Sequence, residues 1–135
     1  MTMFPGNIKA GDLFHARYLN YQGELKHHYF YCVYTQQDDV NNNLVSDIVG
    51  LLISTNEKFA KLEAQGFNDY NVSVEISGRK AWVCADKMYR FMLTDATCNI
   101  EKKKTRLTQK EKEEVLSRFT RFYLETTRQM LEYEK

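Results

Sequence analysis

The chain has 135 residues, 43% hydrophobic and 27% charged, with a formal net charge of +1. That length suits a single domain with a real core, and the balance of apolar and charged residues excludes wholesale disorder. A charge so near zero excludes a whole-molecule field that steers the chain onto nucleic acid or membrane, so any anion site must be a local patch.

The aromatic share of 13%, mostly Tyr and Phe, leans toward β structure, where flat rings suit a pleated surface. No apolar run is long enough to span a bilayer, and the opening MTMFPGNIKAGD lacks the charged start and apolar stretch of a signal peptide. The expectation is a cytoplasmic protein without membrane contact. Cys32, Cys84 and Cys98 are an odd number with wide spacing and no CxxC pair, which points to buried free thiols rather than disulfides or a zinc site. No metal and no cofactor is expected.

Turn signals at Pro5-Gly6 and at residues 9–12 precede a first strand over residues 13–18. Alternation gives that strand an apolar face (Phe14, Ala16, Tyr18) and a second face with His15 and Arg17. His15 reads as a surface or dimer-face residue. A polar, Gly-containing loop leads to Lys26, His27 and His28, and a buried strand is expected over residues 29–35. QQDDVNNN, residues 36–43, reads as a polar loop of turn-forming residues.

Residues 45–54 form a third strand in which Gly50 marks a bulge or a close backbone approach. An N-cap in the STN segment, Ser54 and Thr55 included, precedes a short helix to about Ala64. Strict alternation over residues 71–77, a hairpin turn at residues 78–80 and an apolar strand from Ala81 follow. EKKKTR, residues 101–106, reads as a solvated basic linker. Thr108 and Glu111 then make a capping box, and Val115, Leu116, Phe119, Phe122, Tyr123 and Met130 recur at helical spacing. The fold class is mainly β with α (α+β): a small, partly closed antiparallel sheet, a short helix after strand three and a long C-terminal helix.

The GD pair at the first strand, the segments KHHYFYCVY, VGLLISTN and WVCADKMYRF, and the capped LTQKEKEEVLSRF helix follow one another in a characteristic order. This layout resembles the PemK/MazF family of bacterial toxin–antitoxin pairs, from about Lys9 to the terminal helix. The resemblance implies one domain, with an SH3-like barrel over about 9–95 and a helix over about 108–133. It also implies a homodimer that cuts single-stranded RNA without a metal and is neutralised by an antitoxin protein. The family's motif of lysine or glycine, arginine, proline and aliphatics falls on Lys26, His27, His28 and the strand after them. His27 thus stands in the place of the catalytic arginine, and the catalytic threonine falls on Ser54, with Thr55 beside it.

Metal-free RNA cleavage needs a base for the 2′-hydroxyl, an acid for the departing 5′-oxygen and donors for the phosphate. Imidazole serves both proton tasks near neutrality. The candidate catalytic residues are therefore His27, His28, Ser54 and Thr55, with Arg17 and Lys26 as phosphate contacts and Tyr29 as a stacking platform. His27 is the expected proton-transfer group, because adjacent residues in a strand face opposite sides and only one of the two histidines can serve. Two alternatives stay open: a barrel that keeps the shape without catalysis and binds RNA or protein, as a phage or mobile-element product, and a purely protein-binding barrel.

Overall fold

The computed structural model describes residues 8–20, 22–40, 43–67, 69–94 and 99–133. The order is β1 (Leu13–Leu19), β2 (Leu25–Val40), β3 (Asn43–Ser54), α1 (Lys58–Ala64), β4 (Asn71–Ile76), β5 (Arg79–Thr94), β6 (Ile100–Lys102) and α2 (Gln109–Tyr133). The strands make one antiparallel sheet in the order β4-β5-β3-β2-β1-β6. The α+β class, the short helix after the third strand and the long last helix are as expected. The sheet is open, however, with β4 and β6 as its edges. The capping box of α2 bears on the β4 edge. Glu111 accepts the Thr108 N–H at 2.8 Å and, with its other oxygen, the Glu75 N–H of β4 at 2.9 Å, while Thr108 Oγ1 accepts the Glu111 N–H at 3.1 Å. A covered edge donor is one fewer group available to another strand.

Four local expectations are corrected. Residues 36–40 and 43 lie in strands, not a loop: Gln36 pairs with Asp47, and the ladder runs on to Val40 and Asn43. Turn-prone composition loses here because β3 also pairs with β5 out to Val45 and Thr94, so long neighbours supply each other's backbone partners. Arg90 fastens the extension with a bidentate pair to Asp47, at 2.9 and 2.6 Å.

Lys26, His27 and His28 lie inside β2 rather than at its mouth, because pairing with β1 already begins at Leu19 and Leu25. Asn20 closes that hairpin by accepting the Gln22 and Glu24 N–H groups, each at 2.9 Å. The second hairpin turns at Ser77-Gly78, one step early. Both have positive φ (51° and 79°), as a two-residue turn matched to sheet twist requires. Finally, residues 101–106 are no solvated linker. Ile100–Lys102 is a strand against β1, and two of the cations after it and within it turn onto Asp12.

Asp12 is 3% exposed. Lys102 Nζ stands 3.4 Å and Arg106 Nη2 3.5 Å from its carboxylate, which also accepts the Lys9 N–H at 2.9 Å.

One sheet face packs under α2, with Leu13, Tyr31, Leu51, Val72, Val83 and Val115 at its centre. The other gathers Phe14, Phe30, Cys32, Ile48 and Ile100, with Tyr18, Tyr89 and Phe91 against them. The ring centroids of Phe14 in β1 and Phe91 in β5 are 6.0 Å apart, although two strands lie between them. Three strand spacings of about 4.8 Å would hold upright rings ~14 Å apart in a flat sheet. The sheet therefore curls, with this aromatic face inside. Gly50, expected at a bulge or a close backbone approach, lies under the rings: a Cβ there would stand 2.8 Å from Phe14 Cζ and 2.9 Å from Phe30 Cβ. The ladder also shifts register opposite it, between Cys32 and Tyr34.

Cys32 and Cys84 are buried free thiols, each pushed up to about 11 chiefly by that burial. Cys98 lies outside the described residues.

Two stability measurements follow. Gly50→Ala must displace the Phe30 backbone side as well as a ring tip, and is expected to cost about 1–3 kcal/mol in urea unfolding. Asp12→Ala removes a buried acceptor from two partly exposed cations and a backbone donor. A loss of about 2 kcal/mol is expected by the same measurement.

Candidate functional site

On β1 and β2 the cross-strand pairs are His15 with Tyr29 and Arg17 with His27, so these four side chains share one face. It is the face that α2 covers further along, at Leu13 and Tyr31. On the other side of β1, β6 sets Glu101 opposite His15. Lys103 is held by its N–H to the Leu13 carbonyl at 2.9 Å. Together His15, Arg17, Tyr29, Asn99, Glu101 and Lys103 border an open cleft of about 340 Å³.

At the edge of the cleft, His15 Nε2 lies 3.4 Å from Nδ1 of His27, a long hydrogen bond between two imidazoles. The His15 ring meets Tyr29 edge to face, with centroids 5.0 Å apart. Lys103 Nζ sits 5.5 Å from the Tyr29 centroid and 3.4 Å from Glu101. Tyr29 is nonetheless 48% exposed. The Arg17 guanidinium has no side-chain partner among the described residues. Burial lowers the His15 pKa, and His27, Lys103 and Arg17 lower it further, with Glu101 opposing them. His15 is therefore held neutral at pH values where an ordinary histidine begins to protonate.

The expected site residues divide between the two faces. His27, Arg17 and Tyr29 belong to the cleft face. His28 points the other way, against Tyr18 and Phe30, and its pKa is lowered by burial, then by His27 and Lys26. Lys26 pairs across from Tyr18, on the His28 side, and its ammonium is 3.4 Å from Glu24. Ser54 also faces that side, since Tyr29 pairs with Ile53 and the next step of the register brings Ser54 beside His28. Its Oγ accepts the Asn56 N–H at 3.1 Å, which leads the chain into α1. The cap of α1 falls on Glu57, without a side-chain bond, and not on Ser54 or Thr55; Thr55 is exposed. The strand ends are thus neighbours, but alternation keeps Ser54 and His27 apart.

Asn99, Glu101 and Lys103 are the residues that sequence reasoning missed. Only the pairing of β6 with β1 brings them to His15. Among the described residues, no group of three His, Cys, Asp or Glu side chains is placed to hold a metal ion. Among them, too, no helix is long and apolar enough to cross a membrane. No family model, curated protein or solved structure matches this chain.

The lowered pKa values of His15 and His28 make stability pH-dependent. Below about pH 6.5 the unfolded chain binds protons that the folded one resists, so stability present at pH 7 is lost as the pH falls. The Tm is expected to drop between pH 7 and pH 5. The drop should be shallower in His15→Gln and His28→Gln, as read by circular dichroism melts.

Proposed function

We propose that this chain is a metal-independent endoribonuclease that cleaves single-stranded RNA by 2′-hydroxyl attack, as a divergent relative of the PemK/MazF toxins. One observation carries the reading: His15 in contact with His27, a guanidinium without a side-chain partner among the described residues, an ammonium and a half-exposed tyrosine ring share one face, and all but His27 border one cleft. Imidazoles supply proton transfer at neutral pH, the two cations match a phosphodiester, and the ring gives an unpaired base a surface to stack on. The inward curl of the sheet supports its reading as an opened SH3-like barrel. The same reading carries a cytoplasmic homodimer restrained by an antitoxin protein.

A second reading, an RNA- or protein-binding relative without catalysis, is favoured by histidine at position 27, where the family has its catalytic arginine.

Purified protein incubated with single-stranded RNA in EDTA is expected to yield 2′,3′-cyclic phosphate and 5′-hydroxyl ends. Arg17→Ala and Lys103→Ala should each weaken RNA binding about tenfold and flatten its salt dependence. Salt-sensitive binding without cleavage selects the second reading. Absence of both binding and cleavage removes the RNA reading altogether.

A further inference from the structure

The expected proton-transfer residue, His27, is not in the wall of the cleft, whereas His15 is. The two rings are joined through His15 Nε2 and His27 Nδ1. That contact leaves His15 Nδ1 and His27 Nε2 as the outer atoms of a two-ring unit. The groups facing His15 are Arg17 on its own strand, His27 and Tyr29 on β2, Glu101 on β6, and Lys103 beyond it. Cations predominate among them, so a charged His15 is disfavoured until an anion enters.

We propose that His15 and His27 act as one proton relay, His15 taking the ribose 2′-hydroxyl proton at Nδ1 and His27 giving one to the departing 5′-oxygen from Nε2. This rests on the ribonuclease reading. Both rings start neutral, with His15 donating its Nε2–H to Nδ1 of His27 and His27 carrying its own proton on Nε2. The 2′-oxygen bonds to phosphorus as its proton passes to His15 Nδ1. The shared proton crosses from His15 Nε2 to His27 Nδ1. The bond from phosphorus to the 5′-oxygen breaks, the electron pair leaves with that oxygen, and the oxygen takes the Nε2 proton of His27. One proton enters and one leaves. Both rings end as the opposite tautomer, and exchange with water resets them. Arg17 and Lys103 stay charged throughout against the phosphate oxygens.

The relay makes His15 as necessary as His27. His15→Gln and His27→Asn each keep an amide at the shared contact and lose an outer nitrogen. Each is expected to lower kcat on a labelled single-stranded oligoribonucleotide about 100-fold or more with RNA affinity little changed, and the double variant should be no slower than the slower single one. In NMR titrations of the full chain without RNA, His27→Asn should raise the His15 pKa, because His27 is one of the groups lowering it. Wild-type kcat in either single variant, or additive losses in the double one, overturns the relay and leaves the nuclease standing. An unchanged His15 titration in His27→Asn overturns it whatever happens to RNA. Wild-type protein that does not cleave in EDTA brings down the nuclease reading and the relay together.

Discussion

A buried carboxylate at the head of the first strand holds this arrangement in register. Asp12 meets Lys102 of the last strand, Arg106 of the lead into α2 and the Lys9 backbone. An anion almost wholly removed from water is tolerable only with such partners, so the chain that follows β5 must return to this point. Its return lays Ile100–Lys102 along β1 and stations Glu101 and Lys103 at His15. The charge pairing at the head of β1 thereby sets one wall of the cleft further along that strand.

Period-two alternation then divides the work. Residues 13, 15 and 17 of β1 face the α2 side, and 14, 16 and 18 face the aromatic interior of the curl. In β2 the same rule sends His27 and Tyr29 to the face that carries the cleft and His28 and Phe30 to the face of the rings. Adjacent histidines, chemically equal in sequence, acquire unlike surroundings. One lies against another imidazole and the other against Tyr18 and Phe30.

The curl itself depends on an absence. Without a side chain at Gly50, Phe14 can lie across β3 and meet rings from β5. Aromatic packing of this kind closes the inner face without closing the hydrogen-bonded sheet. On the outside, Leu107 ahead of α2 and Val115 and the half-buried Phe119 within it cap the core, while the Glu111 carboxylate ties the helix start to the β4 edge.

Local signals determined much of this from sequence alone. The alternation in β1 and β4, the Thr108–Glu111 capping box, the helical spacing beyond it and the special role of Gly50 each depend on residues near one another in the chain, and each is legible there. Tertiary structure decided what depends on partners distant in sequence. Strand pairing turned a polar stretch at 36–40 into ladder, and a buried Asp12 turned a basic run into a strand and its anchor. The β6 return brought Lys103 and Glu101 to an imidazole that β1 alone would leave on an ordinary surface. The physical reason is common to all three: backbone hydrogen bonds and buried charge must be satisfied by whatever the fold brings alongside, and local composition does not encode which neighbour that is.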